Sequence, residues 1–146
     1  LLKLHYAHHF GMFREHAGPD LVAQLEFMAA EGFTALEDNG MRGRTVQVQE
    51  QIGETLRRLK MRMGVCGAHT INWNEPTLTS MNDAPRDVFL KEIQESVEIA
   101  KRVGATWMTV VPGHVDRRPH IDYQTARVVD TLKRAAAILE PHGLVM

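Results

Sequence analysis

The sequence predicts an α/β fold in which short strands alternate with amphipathic helices, and three observations predict it. Four segments share one layout, an amphipathic stretch, then a glycine, then a short apolar run; the glycines are Gly32, Gly64, Gly104 and Gly143. The apolar runs are mostly continuous, as in strands covered on both faces, and not cleanly alternating. The segments after the apolar runs are long and rich in functional groups, whereas those after the amphipathic stretches are short. Strict β-α alternation with right-handed crossovers leaves two architectures, a closed (β/α)8 barrel or an open doubly wound sheet.

The helices follow from a 3.6-residue period. Leu21, Leu25, Met28 and Ala29 share one face, as do Val48, Ile52, Leu56 and Leu59. The third face is Phe89, Ile93, Val97 and Ala100, and the fourth is Val128, Leu132, Ala135 and Leu139. Start signals agree: Asp20 precedes the first helix, Asp83 or Pro85 opens the third, and Asp122 lies near the start of the fourth. Glycine tolerates the left-handed conformation that closes a helix, so each of the four glycines is expected just past a helix end. The strand candidates are Leu2–His8, Phe33–Leu36, Met63–Ala68, Trp107–Val111 and a stub at Leu144–Met146.

Composition narrows the function classes. The chain has 146 residues, enough for one domain with a real core, and is 44% apolar and 24% charged. Seventeen basic residues face eighteen acidic ones, so charge gives no reason to expect nucleic acid or an anionic membrane as a partner. The single cysteine, Cys66, cannot form an internal disulfide, which fits a reducing compartment. It is expected to be a small buried hydrophobe. No apolar run suggests a membrane span and no leader is visible. The expected location is the cytoplasm, with export after removal of a leader left open. Without an initiator Met, and ending in the apolar run Gly143-Leu144-Val145-Met146, the chain is read as truncated. Residues 1–146 are read as a single domain, with no linker or low-complexity segment. Neither a Gly-rich dinucleotide fingerprint nor a P-loop is present, which disfavours nucleotide binding.

Residues just past each strand should converge on one mouth. They are His8 and His9, then Glu37, Asp38 and Asn39, then His69, Asn72 and Trp73, then His114, Asp116 and Arg117. Carboxylates and imidazoles can bind hydroxyls and move protons, and Trp73 can cover the apolar face of a sugar. Each also has a structural reading. Glu37 could cap a loop or pair with Arg42 or Arg44. His69 could be a hydrogen-bonded structural histidine, and His114 could simply be exposed on the Pro112-Gly113 turn. His8 and His9 are adjacent, so on a strand at most one faces the barrel interior. His69 and His114, with Glu37, could share a metal, but no His-x-x-x-His spacing supports it.

The run Ala29-Ala30-Glu31-Gly32-Phe33-Thr34-Ala35-Leu36-Glu37 resembles the "AGF-x-x-(V/L)-E" segment of hydroxypyruvate isomerase-like sugar isomerases and epimerases. Val103-Gly104-Ala105 followed by Trp107–Gly113 is similar to the fourth strand of that family, and Ile138–Met146 to the run into the fifth. The resemblance covers essentially the whole chain. It implies a xylose isomerase-like TIM barrel, of which this chain supplies about the first four βα units and the start of the fifth strand. It implies an aldose–ketose isomerase acting on a small keto acid or sugar through an ene-diol(ate). By this resemblance Glu37 maps to the substrate-side acidic position after the second strand, His69 to the third-strand end and the Pro112-Gly113-His114 turn to the fourth-strand loop. Together with the strand-end placement, this makes Glu37 the expected catalytic group of this half and His8, His69, Asn72, Trp73 and His114 the expected substrate-binding residues. The full-length protein would use a divalent metal, Mn, Mg, Co or Zn, whose ligands lie after Met146 and not within these residues. It would be a homo-oligomer, and the chain alone would be inactive. Two alternatives remain: a non-catalytic half-barrel binding module, and an endonuclease IV-like zinc phosphodiesterase. In the latter branch a histidine precedes the Pro-Gly of the fourth strand, where this chain has Val111.

Overall fold

The computed structural model describes residues 4–146; Leu2 and Lys3 of the expected first strand lie outside the described residues. Its strands are β1 (Ala7–His9), β2 (Ala35–Asp38), β3 (Arg62–Gly67) and β4 (Trp107–Thr109). Its helices are α1 (Arg14–Ala17), α2 (Leu21–Ala30), α3 (Val46–Arg58), α4 (Ala84–Val103) and α5 (Ile121–Leu139). Short 3-10 turns follow β2 at Met41–Gly43 and α5 at Glu140–His142.

The four strands are parallel and lie in the order β1-β2-β3-β4. A doubly wound sheet reverses its strand order at a switch point. This sheet does not, so it is an arc of a (β/α) barrel. Beyond α5 the chain returns to the sheet, where Val145 makes a parallel bridge to Trp107. That places the expected fifth strand next to β4.

The predicted apolar faces meet the sheet. Leu25, Met28, Ile52, Leu56, Phe89, Ile93, Val97, Ala135 and Leu139 are buried against Leu36, Met63, Cys66 and Met108 of the strands. Neighbouring helices pack in sequence, α2 on α3, α3 on α4 and α4 on α5. Burying one such Leu or Ile side chain is worth about 1.5–3 kcal/mol before entropy is counted. The approach of α3 to α4 is close enough that Gly53 is required. A Cβ there would lie 2.0 Å from the carbonyl oxygen of Arg102.

Helix ends follow the chemistry of their caps. Asp20 accepts from the Ala23 amide at 2.8 Å and Thr45 from the Val48 amide at 3.3 Å. Asp83 occupies the cap position of α4 without a side-chain bond, and Asn82 accepts from the Ala84 amide instead. His120, not Asp122, caps α5. Gly32, Gly104 and Gly143 adopt the left-handed conformation expected of them. Gly64 does not close a helix. After α3 the left-handed position is taken by Lys60, with φ 55°, and Gly64 lies inside β3. There a Cβ would come within 3.1 Å of the Leu36 carbonyl oxygen. The pairing of β2 with β3 also slips at this point. Leu36 is opposite Met63 but Asp38 is opposite Cys66, so β3 carries one extra residue as a bulge.

Candidate functional site

Parallel strands deliver their C-terminal ends to one edge of the sheet, so Glu37, His69 and the turn at His114 all follow the same rim. At β2, alternation sends Glu37 and Asp38 to opposite faces. Asp38 is buried and fully engaged. Arg44 Nε donates to its Oδ2 at 2.6 Å and the Gly40 amide to its Oδ1 at 3.1 Å, while the Arg44 guanidinium stacks over Phe10. Arg42 turns the other way. It donates to the Glu92 carbonyl at 3.1 Å and pairs with the carboxylates of Glu92 and Glu95. Both arginines that the sequence offered to Glu37 therefore have other partners. The Glu37 carboxylate accepts a bond from Asn39 Nδ2 at 3.0 Å and lies 3.6 Å from His9 Nε2.

The sequence offers both His8 and His9 at this strand end and assigns substrate binding to His8; the structure puts His9 beside Glu37 instead. The register explains the difference. His9 pairs with Glu37 and His8 with Leu36, and partners in a parallel ladder share a face. Leu36 is a core residue, so His8 is drawn to the helix side. Its ring packs edge-on to Phe13 and Phe33, with Nδ1 3.5 Å from the sulfur of Met12. The structure does not bring His8 to Glu37.

His69 stands at the end of β3, buried, with its ring edge-on to Phe89 of α4. Its Nε2 accepts the Val111 amide at 3.0 Å, which fixes the neutral tautomer with the proton on Nδ1. Burial holds its pKa below the usual histidine value, and the nearby Arg42 adds to this against the opposing pull of the Thr70 backbone and Glu92. Glu92 accepts from both the Thr70 amide and hydroxyl, at 2.7 and 2.8 Å. Burial opposes its ionisation, but those bonds together with Arg42 hold its pKa below the ordinary carboxylate value.

A cleft of about 650 Å³ opens along this rim, lined by Asn39, His69, Thr70, Trp73 and Thr109 among others. Trp73 is 69% exposed and supplies its apolar wall. Asn72 faces elsewhere, donating to Glu75 at 3.1 Å and accepting from the Asn74 amide. It shapes the turn that presents Trp73. His114 is exposed, and its backbone closes the loop after β4 onto the loop after β3. Its amide donates to the Glu75 carbonyl, and its carbonyl accepts from the Thr79 hydroxyl. The structure thus gathers His69 and Trp73 in one cleft and joins Glu37 to it through Asn39. It leaves His8, Asn72 and the His114 ring outside that group.

Among the described residues, no three His, Cys, Asp or Glu side chains are grouped to hold a metal. Asp38 and the Nε2 of His69 are already engaged, leaving Glu37 and His9 as a pair of donors. These residues alone do not make the metal centre that the resemblance implies. Cys66 is buried and its thiol is pushed up to about 11, first by burial and then by Asp38, so it packs as a hydrophobe. No helix among the described residues is long and apolar enough to cross a membrane.

The arc of barrel has counterparts among solved structures. A D-tagatose 3-epimerase-like protein superposes with a TM-score of 0.68 at 20% identity, over 86% of this chain and 47% of its own. A D-psicose 3-epimerase from Clostridium cellulolyticum H10, solved with D-tagatose, gives 0.69 at 14% identity, over 95% of this chain and 50% of its own. An AP endonuclease, family 2, from Brucella melitensis gives 0.71 at 13% identity, over 95% and 52%. At these identities the likeness shows the fold alone. The chain spans about half the length of these structures. No curated protein matches it in sequence. The model of one family does match, over residues 20–146, and by that match the chain belongs to the xylose isomerase-like TIM barrel family.

Proposed function

We propose that this chain forms the N-terminal half of the active site of an aldose–ketose isomerase or epimerase acting on a small sugar or keto acid, hydroxypyruvate being the first candidate. The reaction removes a proton from the carbon next to a carbonyl. The electron pair left behind forms the C=C bond of an ene-diolate, and a proton is returned to the neighbouring carbon or to the opposite face. Glu37 belongs to the groups that hold and move these protons. The observation that carries the reading is its state: it is the rim carboxylate of β2, clear of both nearby arginines, with Asn39 and His9 beside it. An arginine would occupy both oxygens of the carboxylate, whereas Glu37 accepts from Asn39 and has lone pairs left for a substrate hydroxyl or proton. Trp73 covers the apolar face of the substrate, and Thr70 and Thr109 lie within the same cleft for its hydroxyls. The likeness to a D-tagatose 3-epimerase-like protein and a D-psicose 3-epimerase supports the same class.

A zinc phosphodiesterase fits less well. Among the described residues no three His, Cys, Asp or Glu side chains are grouped for a metal, and Nε2 of His69 already accepts the Val111 amide. The near-neutral charge also gives little pull on a phosphate backbone.

The test uses the full-length protein with hydroxypyruvate and a panel of keto sugars, following solvent deuterium incorporated at carbon. Glu37→Gln is expected to lower kcat/KM by about 100-fold or more with the circular dichroism unchanged. Wild-type kcat/KM in both Glu37→Gln and His69→Ala would refute the assignment.

A further inference from the structure

Three of the four long helices carry a buried glutamine at the same place. Gln24, Gln49 and Gln124 are each the fourth residue of their helix, counted from Leu21, Val46 and Ile121, and none is more than 3% exposed. Each spends its side-chain amide on the loop that precedes its own helix. Gln24 Oε1 accepts the Gly11 amide at 2.7 Å and its Nε2 donates to the Gly18 carbonyl at 3.0 Å. Gln49 Nε2 donates to the carbonyls of Met41 and Arg44, at 3.1 and 3.0 Å, while its Oε1 accepts from Arg102. Gln124 Oε1 accepts the Asp116 amide at 2.9 Å, and its Nε2 donates to the Asp116 and Pro119 carbonyls at 2.8 and 2.9 Å.

The geometry has a simple cause. Side chains on a helix lean toward its N-terminus, so a first-turn residue on the buried face reaches back under the incoming loop. Glutamine has that reach and carries a donor and an acceptor on one plane. It can therefore tie two points of a loop at once and leave no buried amide orphaned. The loops so tied follow β1, β2 and β4 and carry the walls of the rim. The loop fixed by Gln49 contains Arg44, which orients Asp38 next to Glu37. The third unit, β3 with α4, lacks the device. The fourth residue of α4 is Asp87, whose side chain is 71% exposed, and the loop after β3 is held instead by the neighbouring loop, through Thr77 and Leu78 to the Pro112 carbonyl.

We propose that Gln24, Gln49 and Gln124 are positioning residues, one to a βα unit, that hold the rim loops in the geometry the cleft requires. The kinetic part of this rests on the isomerase reading above; the structural part does not. The test is Gln→Met at each site in the full-length protein, read by amide hydrogen exchange and by kcat and KM. Each variant loses two or three hydrogen bonds, so exchange in its own loop is expected to rise about 10- to 100-fold, with the other two loops unchanged. For Gln49→Met, kcat is expected to fall about tenfold or more while KM moves less than about threefold. Exchange that rises evenly through the protein, or not at all, overturns the proposal, as does a loosened loop with wild-type kcat. If a methionine variant fails to fold, Gln→Asn, which keeps the amide and loses the reach, gives the same comparison. A wild-type protein that turns over no sugar or keto acid refutes the isomerase reading, and the exchange pattern alone then decides whether the clamps exist.

Discussion

Gly113 is the residue on which the two rim loops close. Its φ is +89°, and a Cβ there would lie 2.2 Å from Thr77 Oγ1 and 3.0 Å from both the Glu75 carbonyl oxygen and the Thr77 amide. Gly113→Ala places a side chain in the left-handed region, at about 1–2 kcal/mol. It also pushes the Thr77 hydroxyl off the Pro112 carbonyl it bonds at 2.9 Å, for about 1 kcal/mol more. The expected loss is roughly 2–3 kcal/mol. In a 146-residue chain, at about 3 °C per kcal/mol, this lowers Tm by around 8 °C. Thr77→Ala alone loses only the hydrogen bond, about 1 kcal/mol. It also removes the nearest obstacle, so in that background Gly113→Ala should cost its backbone strain and the two tight backbone contacts but no hydrogen bond. Thermal or urea unfolding of the four proteins closes a double-mutant cycle, with an expected coupling of about 1 kcal/mol in favour of the double variant. Costs that add to within about 0.3 kcal/mol would show that the two side chains do not share this space.

Two further substitutions probe the fold and the site. Gly53→Ala gains about 1 kcal/mol of helix propensity but drives a methyl into the Arg102 carbonyl, which belongs to backbone and cannot swing aside. A net loss of about 2 kcal/mol in urea unfolding is expected, and an unchanged or stabilised variant would contradict the close approach of α3 to α4. The pKa of His69 is lowered on folding, so as the pH falls the unfolded chain takes up this proton first. Its contribution to stability is complete above pH 6.5 and is lost as the pH falls from there toward the lowered folded value. Urea midpoints measured between pH 7.5 and 5.5 should fall less steeply in His69→Gln than in the wild type, and identical slopes would refute the buried neutral imidazole.

What the sequence made legible is what local pattern controls. The helical period marked Ile52, Leu56, Ile93, Val97 and Leu139 as core, and all are buried, because an amphipathic face has only one way to leave water. Strand limits were less legible, since they depend on partners. β2 runs on through Glu37 and Asp38 because His9 and Cys66 stand opposite them. β4 stops at Thr109, and the Val111 amide goes to the His69 ring instead of the ladder. Alternation said that only one of His8 and His9 could face inward, but the phase came from Leu36 across the ladder, a tertiary fact. Gly64 looked like a helix terminator by its place after α3, yet Lys60 had already turned the chain. The three glutamines were hidden by their own surroundings. A lone polar residue on an apolar helical face shows its partners only once the preceding loop is in place.

The extra residue in β3 determines where this strand can change length. Met63 and Cys66 are an odd number of positions apart, yet both point into the core, because the bulge between them resets the pleat. Losing Val65 would merely straighten the strand, leaving Cys66 opposite Asp38 and every later side chain aimed as before. A second deletion would find no bulge left to absorb it and would turn the strand's tail over, exchanging what faces the helices for what faces the barrel axis, and carry His69 away from Val111. Descendants of this protein can therefore shorten the strand by that one residue and keep its chemistry.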